Sequence, residues 1–535
     1  MVEKKRTKQP VDRTQSEYEE DKTDLWFKWL SVPTAITTLL VAGSVLNLIG
    51  YFLVLKDDLG FSPTEQELVR WSVAFGYYGG IFAGPFVNML GNKIWFILSA
   101  FLSLIGFIIL GFYTDANYLQ TTSSVLIILF LIIVSFAACM VTIASVSTLV
   151  KNFPRNIAPL LIAMMIPYYM VAPYFEKCIR SGFLNEYSFK STLIYSGIIQ
   201  FWTYMVAAFV IKDTEYTPRL HKASSAVDSF GLTFFLILEG IFLIVIYFSW
   251  IIAGKWQIGF YLMILLIVLN FLTCILVAWL LDKKISETDI ENIDIQRIES
   301  KKYANEVLSK PDYYWLLIST FIVVGSCTAF QLEAPTVAFA MGAPELGSNI
   351  MKSFWISDVV SRFAGGIFAA LFLRILNSYL FAAVGSFLAM VGFGLALLSE
   401  PVSPVFFYIS SFLIGSAVGI FWVVVPQIII NEGGTKFFQT LWGIVIFINI
   451  LGVFVFDKTF MWIGDKEEPY EIGTCEGYDC YLASYIISSI LWGFAGALCL
   501  FGYSNNIDST QEKPSAKKRK SRSDKKDRRK KSSQR

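Results

Sequence analysis

SSVLIILFLIIVSFAACMVTIASVSTLV, from Ser123 to Val150, carries no charged side chain. At a helical rise of about 1.5 Å per residue, such a run is longer than the roughly 30 Å of hydrocarbon in a bilayer. Thirteen further apolar stretches flank it, at about 32–55, 68–90, 93–113, 157–177, 190–211, 230–250, 257–280, 314–335, 353–375, 377–398, 404–430, 437–460 and 482–502. Lipid offers no hydrogen bonds to a backbone, so each span must be a helix. The unbroken apolar character excludes the alternating pattern of a lipid-facing barrel. The sequence therefore predicts an all-α, polytopic membrane protein with fourteen crossings. Composition agrees: hydrophobic residues make up 55% of the chain and charged residues 16%, against about a quarter charged in soluble domains, and mean hydropathy is +0.57.

The spans group as six, two and six. This predicts an N-terminal tail over 1–30, a six-helix bundle over 31–211, cytoplasmic loops with an inserted helix pair over 212–312, a second six-helix bundle over 313–503, and a basic disordered tail over 504–535. Both ends are basic: Lys4, Lys5, Arg6 and Lys8 open the chain, and KKRKSRSDKKDRRKKSSQR, Lys517 to Arg535, closes it. The first 24 residues or so are polar, so no cleavable leader is expected.

Orientation follows from the distribution of Lys and Arg in short loops. Cytoplasmic termini put Lys93, Lys151, Arg155, Lys212, Arg219, Lys283, Lys284, Arg374 and Lys436 inside, and collect Asp57, Asp58, Glu65, Glu467, Glu468, Glu471 and Glu476 outside. The basic tails suit anionic lipid headgroups and not nucleic acid. Cys475 and Cys480 lie close together in the outer loop TCEGYDCY. On an oxidising face they either close a disulfide or stay as thiols, and the short loop favours the bridge. The single histidine, His221, and the lack of a second Cys pair leave no expected metal site. No Walker-type loop or K⁺-filter motif occurs, and an embedded enzyme would need a clustered acid, Ser or His site.

Two sixes of helices around a polar connection resemble the major facilitator fold, whose halves are related by an axis along the membrane normal. Between the second and third spans, Gly84-Pro85-Phe86-Val87-Asn88-Met89-Leu90-Gly91-Asn92-Lys93 is similar to that superfamily's loop signature. Asn88 stands for its acid and Met89 for its first basic residue, while Gly84, Gly91 and Lys93 remain. Leu55–Glu65 (LKDDLGFSPTE), then Gly76, Gly79, Gly80 and Gly84, then Asn152-Phe153-Pro154-Arg155, together resemble the nodulin-like branch. That branch also tends to carry a two-cysteine element before its last helix, which Cys475 and Cys480 approximate.

Charges inside a bilayer are costly unless paired or facing a cavity. In the eighth helix of the facilitator scheme, Asp358 and Arg362 are four apart and share a helical face. Asp-x-x-x-Arg-x-x-Gly, Asp358 to Gly365, resembles monocarboxylate transporters, where the acid and arginine handle protons and substrate anions. The lysine of that family's first helix has no counterpart in Asn47-Leu48-Ile49-Gly50. Gln331 and Glu333, on the preceding helix, are further candidates; Glu333 either protonates during transport or sits at the headgroups. Asn47, Gln200, Gln427 and Asn449 either line a cavity or join helices. Glu239 points to a contact of the inserted pair.

These resemblances imply a secondary active transporter for a small solute, such as a monocarboxylate with proton coupling, working by alternating access as a monomer without cofactor. Its substrate site would include Arg362, Asp358, Glu333, Gln331 and Asn47. The alternative is a transport-inactive relative serving as a receptor or chaperone subunit, which the retained intramembrane charges disfavour. Plasma membrane and internal organelle both fit.

Overall fold

The computed structural model describes residues 15–48, 62–113, 124–153, 158–183, 189–212, 238, 240, 242, 256–287, 307–340, 344–372, 377–398, 403, 405–433, 437–464 and 481–505. Among them the first six-helix set is α1 (Gln15–Ala42), α2 (Pro63–Tyr78, resumed after Gly79 by Gly80–Leu90), α3 (Asn92–Tyr113), α4 (Ser124–Asn152), α5 (Ala158–Cys178) and α6 (Phe189–Val210). α7 (Trp256–Glu287) follows. The second set is α8 (Pro311–Ala340), α9 (Pro344–Phe372), α10 (Ser378–Ala396), α11 (Val405–Gly433), α12 (Phe438–Gly464) and α13 (Tyr481–Asn505).

Eleven of these helices are long and apolar enough to cross a membrane. The other two are α2 and α9, so thirteen of the fourteen expected spans coincide with described helices. The fourteenth, at 230–250, lies outside the described residues except for Leu238, Gly240 and Phe242. Glu239, Cys475 and Cys480 also lie outside them; the described cysteines, Cys139, Cys178, Cys274, Cys327 and Cys499, are free and buried. One boundary differs from expectation. α1 begins at Gln15, inside the stretch assigned to the tail, because Glu-, Asp- and Lys-rich sequence supports helix as well as the apolar run after it.

Local chemistry sets the helix ends. In the Leu55–Glu65 motif, Ser62 caps α2, Pro63 takes its first turn, and the Glu65 carboxylate accepts from the Ser62 amide, forming a capping box. Glu65 also accepts a hydrogen bond from Ser124 at the start of α4. These donors hold its carboxyl below the ordinary glutamate range. At the other end of α2, Gly91 adopts φ +81° and turns the chain into α3, a conformation in which a side chain would be strained.

Lipid supplies no hydrophobic drive between helices, so the packing rests on close approach. α1, α5 and α11 are the most enclosed spans, whereas α6 and α7 bury least and present apolar faces outward. Within the first half, α3 packs on α6 and α4, and α1 packs on α4, α5 and α6; within the second, α9 and α10 pack on α11, and α8 packs on α12. The halves meet mainly where α2 packs on α12 and α5 on α9, with smaller contacts of α5 with α11 and α4 with α12. α7 lies against α1 and α5, with Gly259 beside Cys178 and Lys177 Nζ 4.4 Å from the Trp256 ring centroid. A Cβ on Gly240 would meet the Phe363 ring of α9.

At the α8–α12 crossing, Gly325 and Gly452 bring their backbones together: a Cβ on Gly325 would stand 2.7 Å from the Gly452 Cα. Gly452→Leu should therefore destabilise the detergent-purified protein by about 1–3 kcal/mol through overpacking. Thermal unfolding followed by size-exclusion fluorescence checks it, and an unchanged melting temperature would contradict the crossing.

Candidate functional site

The sequence Gly415-Ser416-Ala417-Val418-Gly419 in α11 presents two glycines one turn apart. A Cβ on Gly415 would run into Ser357 Oγ and the Phe354 carbonyl, and one on Gly419 into Ser361 Oγ and the Asp358 carbonyl. α9 thus lies directly on the α11 backbone, as small-xxx-small spacing permits. This approach seals the Asp358–Arg362 pair inside the protein.

The pair is bidentate. Arg362 Nε donates to Asp358 Oδ1 at 2.7 Å and Nη2 donates to Oδ2 at 3.0 Å, with side chains 3% and 0% exposed. The guanidinium lies over the Trp422 ring of α11, 5.5 Å from its centroid. Trp422 meets Trp442 of α12 edge-on at 5.8 Å. Both Asp358 oxygens are occupied, while Arg362 Nη1 donates to no described residue.

From the opposite half, Tyr169 of α5 lies within electrostatic reach of Arg362. Its buried hydroxyl has no hydrogen-bond partner among the described residues. The same is true of the Tyr77 hydroxyl, whose ring meets that of Tyr169 edge-on at 6.2 Å, and of Trp442 Nε1 and both ends of the Asn449 amide. Buried polar groups are ordinarily satisfied.

The other predicted site residues are placed elsewhere. Glu333 is buried on α8. Gln331 is half-buried one turn-face away. Asn47 joins neither group: its Nδ2 donates to Glu176 Oε2 at 2.6 Å and to the Pro173 carbonyl at 3.0 Å. Gln200 and Gln427 are interhelical links. Gln200 Nε2 donates to Ser44 Oγ at 3.0 Å, and Gln427 Nε2 to the carbonyls of Gly366 at 3.3 Å and Pro159 at 3.4 Å, tying α11 to both α9 and α5. Glu176, 3% exposed on α5, was missed because it stands at the end of its span beside Lys177, where it reads as a loop residue.

A second inter-half contact surrounds the Gly91 turn. Gln439 at the start of α12 donates to Ser147 Oγ at 2.7 Å and Asn92 Oδ1 at 3.2 Å, and accepts from Lys151 Nζ at 3.2 Å. Asn92 Nδ2 in turn donates to Thr148 Oγ1 at 2.5 Å. Gly80 and Gly84 let α2 press on the α12 backbone at Gly443 and Gln439. With Asn88 and Met89 in place of charges, hydrogen bonds centred on Gln439 join the halves at this end.

No family model and no curated protein matches the chain. Among solved structures it is similar to the E. coli fucose:proton symporter, at 14% identity over 88% of this chain and 98% of that one, with a TM-score of 0.50. The same transporter, in an outward conformation, aligns at 13% identity over 89% and 99% with a TM-score of 0.52. A proton:xylose symporter bound to 6-bromo-6-deoxy-D-glucose aligns at 12% identity over 92% and 95%, with a TM-score of 0.53. All three are major facilitator superfamily transporters in fold, and the chain has that fold.

Removing one member of the ion pair strands the other. Arg362→Met or Asp358→Leu alone should destabilise by about 3–5 kcal/mol, whereas the double replacement should recover most of that loss. Melting temperatures of the singles and the double decide it; additive losses would mean that the pair is not coupled as drawn.

Proposed function

We propose that the protein is a secondary active transporter that moves a small organic anion with a proton by alternating access. The observation that carries this is Arg362, a nearly buried guanidinium whose Nη1 donates to no described residue, on a helix at the meeting of the two halves. A guanidinium presents a planar fork to a carboxylate. An arriving anion competes with Asp358 for it, and the displaced Asp358 then takes up a proton, so that no uncompensated charge is left in low dielectric. Solute and proton enter and leave together on this account.

Alternation follows from the two inter-half pairs. Tyr169 comes from one half and Arg362 from the other, so rocking of the halves opens and closes the chamber between them. With cytoplasmic termini, the Gln439 contacts form the inner closure and the 461–481 loop lies outside. The proton-linked symporters that share this fold lend the coupling support; their sugars keep sugars in the test panel.

The experiment is uptake by proteoliposomes of labelled monocarboxylates, amino acids and sugars, with and without an inward proton gradient. A monocarboxylate accumulated only with the gradient is the expected result. Arg362→Lys should then reduce uptake about 10-fold or more per folded molecule, because an ammonium lacks the bidentate fork, and Asp358→Asn should leave gradient-independent exchange while abolishing accumulation. Wild-type uptake per folded Arg362→Ala molecule would rule out the anion-binding role.

A further inference from the structure

A second buried polar cluster lies within the first half, away from the Arg362 pair. The 3₁₀ turn Gly43–Val45 carries α1 on to Asn47, and Gly43 admits the α5 backbone so closely that a Cβ there would meet the Tyr169 carbonyl. That carbonyl lacks a helical donor, because Pro173, four residues on, has no N–H. The contact brings Asn47 to α5, where its amide donates to Glu176 and to the Pro173 carbonyl. From α6, Ser196 Oγ donates to the other Glu176 oxygen at 3.3 Å. One turn further along the same face of α6, Gln200 donates to Ser44 Oγ, one turn before Asn47 on α1. Three helices thus converge on one carboxylate.

Two features of the cluster point to a ligand. Glu176 is 3% exposed, and both of its hydrogen-bond partners are neutral. Positive charge near it comes from Arg180 on its own strand of helix, in the π turn Ile179–Phe183. Asn47 and Ser196 donate to it, Gln200 stands one turn from Ser196 and donates to Ser44, and Gly259 of α7 lies beside Cys178, two residues on. Lys177 turns to the Trp256 ring, and Lys352 of α9 acts on Lys177. In addition, Gln200 Oε1, on a residue with no exposed surface, has no hydrogen-bond partner among the described residues. One carboxylate with several neutral oxygens is a donor set for a hard monovalent cation, since soft or divalent metals call for more anionic or nitrogen and sulfur ligands. No three His, Cys, Asp or Glu side chains converge among the described residues.

We infer that Glu176, with Asn47, Ser196, Ser44 and the free oxygen of Gln200, binds one monovalent cation, a proton or a sodium ion, at a site separate from the Arg362 pair. Its role as a coupling site rests on the transport reading above; binding itself does not. A cation there offsets carboxylate charge that Arg180 balances only from a distance, and locks α1, α5 and α6 together. The site would fill and empty as that half moves.

Thermal unfolding of the purified full-length protein tests binding without any solute. Melting temperature is measured in sodium chloride against choline chloride at equal ionic strength, and across pH, for the wild type, Glu176→Gln and Gln200→Met. Wild-type protein should show a saturable upward shift with sodium or on acidification, because a ligand bound only to the folded state stabilises it. Glu176→Gln should start from the stabilised level and lose the shift. If sodium is the ligand, Gln200→Met weakens the sodium response; if the proton is, it leaves the pH response intact. Identical sodium and pH responses in wild type and a folded Glu176→Gln would overturn the site. That failure leaves uptake at Arg362 untouched, and a transport-inactive protein that still shows the shift would refute the transport reading alone.

Discussion

A charge pair sealed between two helices is the constraint on which the rest of this structure depends. Asp358 and Arg362 occupy successive turns of α9 in a region where an isolated ion would cost several kcal/mol. They are tolerated because each completes the other through two short hydrogen bonds and because Trp422 covers the guanidinium. Everything that brings α11 onto α9, above all Gly415 and Gly419, serves this arrangement. The pair is also unfinished: its bonds use Nε and Nη2 of Arg362 and not Nη1, and the other half carries an unused hydroxyl on Tyr169.

Small residues recur wherever backbones must touch. Gly325 with Gly452 joins α8 to α12, Gly80 and Gly84 join α2 to α12, and Gly366 brings α9 against Ala163 of α5. The last two contacts lie between the halves. Glycine there gives close approach with little interlocking of side chains. Hydrogen bonds around Gln439 and Gln427 fix where they meet without burying a further charge.

Much of this was legible in the sequence, for identifiable reasons. Span positions follow from apolar run length, which a bilayer enforces strictly, and the ion pair follows from a four-residue spacing between opposite charges. Thirteen of the fourteen expected spans coincide with described helices, and Gly259 sets α7 beside Cys178 of α5. Other features depend on contacts between distant segments. Gln439 and Asn92 are 347 residues apart, and nothing local to either announces the other. Glu176 sits at the edge of its span among charged neighbours, so its burial became visible only once α1 and α6 closed over it. The Gly415–Gly419 spacing was present as a signal and acquires meaning through the α9 backbone it admits.

The central claim is that a carboxylate solute binds by taking Arg362 from Asp358 at the junction of the halves. An experimental structure of the full-length protein with a transported monocarboxylate bound tests it most directly. The account predicts the solute carboxylate at about 2.7–3.0 Å from the guanidinium nitrogens, as charge-assisted pairs adopt, with the Tyr169 hydroxyl donating to it and the Asp358 bonds opened. Solute bound elsewhere, with Arg362 still held by both oxygens of Asp358, would contradict it.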